Sequence, residues 1–203
     1  LDGQLWTLQP ADRAYADERG LVLIAIENLA SGETWTADNV YNLTSQIYVR
    51  PGATLTIQAG TKIVSTATAN GSGALCVANG GQLFVNGDSR APVVMTSNLD
   101  DGTWRASCNE WGNLTICGDA YIGFDGVTNA GGFPGNTLSP SASNEANMEG
   151  LVEEAGNPTL NNYGGGDDNY DAGSISYLSI RYGGRVVGLS NELNGLSLGA
   201  LGR

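Results

Sequence analysis

Short runs of alternating apolar and small polar residues recur along this chain, with glycine-rich turns between them. In residues 54–58, Leu55 and Ile57 alternate with threonine and glutamine, and residues 82–86 repeat the pattern. A period of two residues is typical of a β-strand with one buried face. The longest wholly apolar run, residues 21–26, is far shorter than the roughly 20 residues that span a bilayer. The pattern therefore predicts many short strands and no transmembrane segment.

Two stretches of the chain repeat each other at an offset of 28 residues. Residues 47–60 align with residues 75–87, so that the pairs of apolar residues and the glycine turn coincide. A third strand is predicted after each unit, at residues 61–64 and 92–96. Looser copies of the strand-and-glycine pattern are found at residues 113–118, 177–180 and 195–199.

Strands of three to five residues in a repeat of about 28 residues indicate an all-β fold of the parallel β-helix class. An antiparallel sandwich would show longer strands and clear hairpin signals. In a parallel β-helix each coil supplies about three short strands, and successive coils stack ~4.8 Å apart through backbone hydrogen bonds. We therefore expect apolar ladders inside the coils and glycine at their corners.

Two segments, WTADNVYNL at residues 35–43 and IYVRPGATLTIQAGTKI at residues 47–63, carry a family resemblance. They resemble the opening coil of secreted and cell-surface bacterial right-handed parallel β-helix repeat proteins, a largely uncharacterised family. Ala59 replaces the family's usual proline, and Asn113 replaces its usual second glycine, both within turns. Later matches cover residues 110–114, 163–173, 178–184 and 191–198.

The resemblance spans residues 35–203 and implies a right-handed solenoid, but it says little about activity. Residues 1–34 differ in composition and are predicted to form an N-terminal cap, because a β-helix must shield its first coil. Residues 125–172 are predicted to be a long lateral loop insertion between coils. The coils reach Arg203, so we expect the natural protein to continue; the alternative is an open end that pairs with another subunit.

The charge of the chain excludes several classes of function. Its 21 acidic and 9 basic residues give a formal net charge of −12, which disfavours nucleic acid and anionic membranes as partners. The absence of histidine excludes Ser-His-Asp and Cys-His catalysis and His-ligated metals. A hydrophobic content of 41% is sufficient for a buried core.

Three cysteines are present, and two of them bracket a short segment. We predict a disulfide between Cys108 and Cys117, which would place the chain in an oxidising compartment and contribute about 2–3 kcal/mol. The alternative is three unrelated thiols. Cys76 lies in an apolar stretch and is predicted to be a core residue.

An acidic, glycine-flanked loop offers a candidate calcium site. Asp167, Asn169 and Asp171 supply oxygen donors at alternate positions, as at the start of a calcium loop. Ala172 and Leu178 stand where an EF-hand requires glycine and glutamate, so the site is not an EF-hand. The alternative is a solvated acidic turn, and calcium is the one cofactor that the sequence suggests.

Many β-helices act on polysaccharides, and such chemistry needs converging carboxylates or a carboxylate–arginine pair. No two candidates occur at a spacing that places them on one coil face, so no catalytic residue is assigned and an enzyme is disfavoured. Arg181 and Arg185 are the first suspects if an activity exists. The candidate acids are Asp88, Asp100, Asp101, Asp119 and Asp125, and the candidate bases are Lys62, Arg90, Arg105, Arg181 and Arg185. The aromatic residues that could stack on sugars are Trp104, Trp111, Tyr163 and Tyr170.

These observations predict an extracellular or cell-surface, outer-membrane-associated β-helix whose function is structural. We expect it to present loops for adhesion or assembly, with other surface proteins or glycans as partners and with end-to-end self-association as an option. The alternative is a carbohydrate-active protein, either a polysaccharide-binding module or a lyase-like enzyme. A cleft with a converging carboxylate and arginine would favour the alternative.

Overall fold

The computed structural model describes residues 22–25, 28–65, 67–68, 71–123, 140–189 and 191–202. Within these ranges the chain forms short β-strands and no helix. The strands are β1 (Val22–Ala25), β2 (Glu33–Trp35), β3 (Asn39–Leu43), β4 (Gln46–Val49), β5 (Thr54–Gln58), β6 (Lys62–Ser65), β7 (Ala67–Thr68), β8 (Gly71–Ser72), β9 (Ala74–Val77), β10 (Gln82–Asn86), β11 (Val93–Ser97), β12 (Leu114–Cys117), β13 (Ala146–Asn147), β14 (Asn162–Tyr163), β15 (Gly173–Ser176), β16 (Leu178–Ile180), β17 (Val186–Gly188), β18 (Asn191–Glu192) and β19 (Leu196–Gly199).

Most of these strands belong to three parallel sheets. Sheet 1 has the order β1-β3-β6-β11-β16, sheet 2 the order β15-β10-β5-β2, and sheet 3 the order β19-β12-β9-β4. The chain passes through sheets 2, 1 and 3 in that order four times: β2-β3-β4, β5-β6-β9, β10-β11-β12 and β15-β16-β19. Each new pass places its strands parallel to, and paired with, the strands of the preceding pass in the same sheet, as the repeats predict.

The register of the strands confirms the 28-residue repeat. Leu55 of β5 pairs with Leu83 of β10, and Ile47 of β4 pairs with Leu75 of β9, both at an offset of 28. The looser copies correspond to β12, β16 and β19, which are the later strands of sheets 3, 1 and 3.

The core lies between the three sheets. In β5 and β10 every second residue is buried and the residues between them are partly or fully exposed, as expected for strands with one face toward a core. Successive passes stack like residues on one another, which builds apolar ladders. The core cluster contains Leu29, Trp35, Tyr41, Leu43, Ile47, Val49, Ala53, Leu55, Ile57, Ile63, Leu75, Val77, Leu83, Val85, Val93, Met95, Trp111, Leu114, Ile116 and Ala172.

Sheet 3 differs because its outer face is also buried. All residues of β9 and β12 are buried, and the outward side chains of Tyr48, Cys76 and Cys117 belong to a second apolar cluster. Leu151 and Leu160, from the segment between β12 and β15, pack against this cluster. The Arg50 side chain donates hydrogen bonds of 2.6 and 2.8 Å to Glu154 and so attaches this segment to the sheet.

Parts of the predicted cap and insertion lie outside the described residues. In the predicted cap, residues 1–21 and 26–27 lie outside the described residues. Strand β1 is described, and it pairs with β3 at the edge of sheet 1. In the predicted insertion at residues 125–172, residues 125–139 lie outside the described residues. Residues 140–172 are described, precede β15 and contain the antiparallel pair β13–β14. Across the described ranges, no helix has the length and apolar character needed to cross a membrane.

Candidate functional site

The ends of β11 and β16 bring charged residues together at one corner of the molecule. These two strands pair in sheet 1, with Met95 beside Ile180. The backbone N–H of Arg181 then donates to the carbonyl of Met95 at 2.9 Å. Asp100 follows β11 after a short turn. The pairing therefore places a carboxylate and a guanidinium at the same corner, although they are 81 positions apart in the chain.

Asp100 is a buried carboxylate held by three donors. Its Oδ2 accepts from Thr96 Oγ1 at 2.7 Å and from Arg181 Nη1 at 3.5 Å, and its Oδ1 accepts from the N–H of Gly102 at 3.0 Å. The Asp100 side chain is 4% exposed, whereas that of Arg181 is 43% exposed. The buried carboxylate thus anchors an arginine whose side chain is itself partly exposed to solvent.

A second ion pair, between Arg105 and Glu110, lies at the same corner. Arg105 Nη2 donates to Glu110 Oε2 at 2.7 Å, Nη1 donates to Oε1, and Ser107 Oγ also donates to Oε1. Partial burial raises the pKa of Glu110, but hydrogen bonds from Arg105, Ser107 and Ser97 outweigh it and hold that pKa below its ordinary value. The hydrogen bond to Glu110 raises the pKa of Arg105, so the pair stays ionised near neutral pH.

Arg105 also connects this pair to the segment after β16, which carries Arg181. Its guanidinium carbon lies 4.2 Å from the ring centroid of Tyr182, a cation–π contact. Tyr182 and Asn109 both have left-handed backbone conformations, with φ of 59° and 62°. Such values are uncommon outside glycine, and here the backbones of residues 109–110 and 182–183 hold each other through two hydrogen bonds of 3.0 and 2.9 Å.

The two tryptophans near this corner have opposite roles. Trp104 is 87% exposed and immediately precedes Arg105. Trp111 is fully buried in the core, and its indole N–H donates to the carbonyl of Arg181 at 2.6 Å. The prediction that Trp111 stacks on sugars is therefore wrong, because its ring has no exposed face; it positions the backbone of Arg181 instead.

The other aromatic candidates are partly buried. Tyr163 packs against the cluster on the outer face of sheet 3. Tyr170 packs against the core, and its hydroxyl donates to the carbonyl of Gly81. Of the four residues predicted to stack on sugars, only Trp104 presents an exposed ring at the charged corner.

Comparison with protein families identifies the architecture. Residues 27–203 match the family model described as "Pectate-lyase like beta helix domain". The chain belongs to this family. No curated protein and no solved structure matches the chain significantly. The family accounts for the parallel β-helix.

In this β-helix domain the aspartates of the predicted calcium loop accept hydrogen bonds from nearby backbone N–H groups. The carboxylate of Asp167 accepts the N–H of Asn169 at 2.8 Å, and that of Asp171 accepts the N–H of Gly173 at 2.9 Å. No three histidine, cysteine or acidic side chains gather as a metal site in the described ranges. Calcium binding at Asp167, Asn169 and Asp171 stays a prediction. The partners of Arg181 are Asp100 and Ser179 rather than this loop.

The predicted disulfide is absent from the structure of the β-helix domain, where all three cysteines are free. Cys108 is exposed, whereas Cys117 is buried on the outer face of sheet 3. The neighbour of Cys117 is the thiol of Cys76 on the adjacent strand. Burial raises the pKa of Cys76 well above its ordinary value, and its contact with Cys117 raises it further.

A small cleft of about 190 Å³ lies between the second pass of the domain and the segment over sheet 3. Two of its polar side chains are already paired: Asn79 donates to Asp119, and Asn162 donates to Glu145. The corner around Arg181 offers freer donors, and we therefore take it as the candidate site. The other residues that line the cleft are Pro51, Ala78, Thr159 and Leu160.

Sequence reasoning found part of the corner and missed part of it. Asp100, Arg105 and Arg181 were among the candidate acids and bases, whereas Glu110 and Thr96 were not. The spacing Arg105-x-Ser107-x-x-Glu110 is a local signal that could have identified the second ion pair. Nothing local joins Asp100 to Arg181, because only the pairing of β11 with β16 brings them together.

Proposed function

We propose that this β-helix domain is a rigid extracellular scaffold that holds surface features in fixed positions for adhesion or assembly. The observation that carries the proposal is the stacking of four passes of the chain on three parallel sheets around one apolar core. Each pass is held to the next by backbone hydrogen bonds, and such stacked repeats give an extended, stiff framework. In this proposal the coils form a right-handed solenoid, residues 1–34 are its cap and residues 125–172 its lateral insertion.

The acidic character of the chain supports an exposed location. A net charge of −12 keeps copies apart in solution and favours solubility. Outward positions on the strands are rich in threonine, serine and glutamine, as in β5 and β15. Polar outward faces are suited to continuous contact with water.

Surface labelling of the native organism tests the location directly. Antibodies raised against the purified chain should stain intact cells, and brief protease treatment of those cells should remove the signal. A cytoplasmic protein probed in parallel should be detected only after lysis, which controls for leakage. Detection of the chain only after lysis would contradict the extracellular scaffold.

A second candidate function is polysaccharide binding at the charged corner. It is favoured by the exposed indole of Trp104 beside Arg105 and by the half-exposed guanidinium of Arg181. An aromatic face can pack on a sugar ring, and arginine donors can pair with sugar hydroxyl or carboxylate groups. Both carboxylates at this corner already accept several hydrogen bonds, so the arrangement suits recognition better than acid–base chemistry.

Affinity electrophoresis separates these two functions. In gels that contain a polyuronate, at about 0.15 M salt to screen the repulsion between acidic molecules, the chain should migrate more slowly than in gels that contain dextran. Trp104→Ala and Arg181→Gln should each restore most of the mobility. Arg90→Gln, at an exposed arginine elsewhere, is the matched control. Equal mobility in both kinds of gel would contradict polysaccharide binding and leave the scaffold as the proposed function. Release of unsaturated sugars would indicate a lyase.

A further inference from the structure

Two buried thiols face each other on the outer side of sheet 3. Cys76 lies on β9 and Cys117 on β12, which are adjacent strands. Both side chains belong to the apolar cluster on this face, and the thiols contact each other through a hydrogen bond. Nothing in the proposed scaffold or in the charged corner uses them.

The register of the strands makes a direct disulfide between these thiols unfavourable. Cys76 pairs with Thr115, so Cys117 lies two residues further along the neighbouring strand. Strands about 4.8 Å apart with a rise of about 3.3 Å per residue place such diagonal Cα atoms about 8 Å apart. A disulfide needs Cα atoms within about 7 Å. An atom that bridges the two sulfurs would span the longer distance without moving the strands.

The same face of sheet 3 carries a third sulfur, that of Met148. Met148 packs against the same cluster, and its methyl group lies over Gly199, 2.7 Å from where a Cβ atom would stand. Gly199 pairs in register with Cys117. The absence of a side chain at position 199 therefore leaves room for Met148 and for the ring of Tyr163 over the strand adjacent to Cys117.

The surroundings are closed and apolar. Leu151, Leu160 and Leu193 belong to the same cluster and are buried, and the hydroxyl of Tyr48 donates to the carbonyl of Val152 at 3.1 Å rather than to the sulfurs. Two thiols and a thioether in such a site are ligands for soft, low-coordinate metal ions. Zinc prefers four ligands in a tetrahedral arrangement, which this set does not supply.

We propose that the β-helix domain binds one Cu(I) ion between the sulfurs of Cys76 and Cys117, with the Met148 thioether as a third ligand. Each thiol that coordinates Cu(I) releases its proton to solvent, and the oxidation state of copper does not change. The segment around Leu151 and Leu160 covers the ion and must open for its entry. The bond between Arg50 and Glu154 attaches that segment to the sheet.

The test is titration of the full chain with Cu(I), supplied under argon, against a chromogenic Cu(I) chelator. We expect one ion per chain in native mass spectrometry. Cys76→Ser and Cys117→Ser should each weaken binding at least 100-fold, and Met148→Leu about 10-fold. Cys108→Ser, at the exposed cysteine, should bind like the wild type. Circular dichroism establishes that each variant is folded.

Thiol labelling gives a readout that does not depend on variants. With Cu(I) bound, Cys76 and Cys117 should resist alkylation after mild denaturation, whereas Cys108 should be alkylated at the same rate with and without the metal. Failure of the wild-type chain to take up one Cu(I), or unchanged affinity in Cys76→Ser, would overturn the proposal. Loss of binding in Cys108→Ser alone would place the metal elsewhere and also overturn it.

Discussion

Two tryptophans seven positions apart show how strongly the environment of a residue decides its role. Trp104 is almost fully exposed, whereas Trp111 is completely buried and donates a hydrogen bond to the backbone of Arg181. The same side chain therefore serves a candidate binding surface in one case and the core in the other. The difference arises because Trp111 lies just before β12, a strand whose residues are all buried.

Substitution of the two tryptophans should separate these roles. Trp111→Phe removes the hydrogen bond and part of the buried volume, and should lower the free energy of unfolding by about 1–3 kcal/mol. Trp104→Phe should change it by less than about 0.5 kcal/mol, as is usual for exposed positions. Urea unfolding followed by circular dichroism measures both. Equal losses in the two variants would contradict the assigned environments.

The ion pair of Glu110 makes a prediction for acid conditions. Its pKa is held below the ordinary value of 4.5 in the folded protein. The carboxylate therefore contributes stability above about pH 4.5, and this contribution is lost as the pH falls through the folded-state pKa. Glu110→Gln should be less stable than the wild type at about pH 7, and the difference should shrink at about pH 3.

The matched control for this prediction is Glu149→Gln, at an exposed glutamate in the segment over sheet 3. It should differ little from the wild type in stability. Denaturant unfolding across the pH range measures both variants. A constant gap between Glu110→Gln and the wild type would mean that the ion pair is not the source of the effect.

At the scale of the strand, the alternation of buried and outward residues determines which substitutions matter. In β10, Leu83 and Val85 are buried, whereas Phe84 points outward and is partly exposed. Leu83 stacks on Leu55 of the preceding pass. The strand β10 thus contributes alternate side chains to the apolar ladders of the core.

Adjacent alanine substitutions in β10 test this alternation. Leu83→Ala should cost about 2–5 kcal/mol, because it opens a cavity in a fully buried ladder. Phe84→Ala, although it removes more atoms, should cost clearly less. Thermal or denaturant unfolding compares the two proteins. A larger loss for Phe84→Ala would indicate that the register of the strand is shifted by one residue.

The segment that covers sheet 3 packs on it through Leu151 and Leu160 and is attached at its rim by polar contacts. The side chain of Gln46 donates to and accepts from the backbone of Val152, at 3.2 and 3.1 Å, and Glu154 binds Arg50. These are partly exposed contacts, and such ion pairs contribute only about 0–1 kcal/mol. The segment should therefore open more readily than the sheet beneath it.

Hydrogen exchange can follow this opening. Glu154→Gln should increase amide exchange in residues 148–163 several-fold while exchange in β9 and β12 changes little. Glu153→Gln, at the exposed neighbouring position, should leave exchange unchanged. If Glu154→Gln accelerated exchange equally throughout the protein, the ion pair would stabilise the whole fold rather than attach one segment.

For the molecule as a whole, the fourth pass of the stack differs from the third. In the fourth pass Ile175, Leu196 and Leu198 are exposed, although the residues that pair with them in the third pass are buried. The strands of this pass carry no charged residue or proline, the usual protection of an open edge. The outer edge of this pass therefore carries no side chain in its strands that would oppose pairing with another β-strand.

We expect this end to support self-association at high concentration. Sedimentation velocity at about 0.15 M salt should show the average mass rising above 21.0 kDa as the concentration increases. Leu198→Lys, which places a charge on the open edge, should keep the chain monomeric. Val152→Lys, at an exposed position elsewhere, should not. A wild-type mass that stays constant at all concentrations would contradict the expectation.

The strands of the repeat, their spacing and the class of fold could be predicted from the amino-acid sequence. The period of two residues and the offset of 28 are local or repeated signals, so the pairing of Leu55 with Leu83 could be predicted from the chain. Resemblance to β-helix repeat proteins agreed with the family that residues 27–203 match.

The contacts between side chains of different passes could not be predicted from the sequence and became known from the fold. Asp100 forms an ion pair with Arg181. Cys117 contacts Cys76 and does not form the predicted disulfide with Cys108. Trp111 is likewise buried, whereas Trp104 is exposed, although both were candidates for stacking on sugars. The physical reason is that these contacts depend on the lengths of the loops between passes, which vary and follow no periodic pattern.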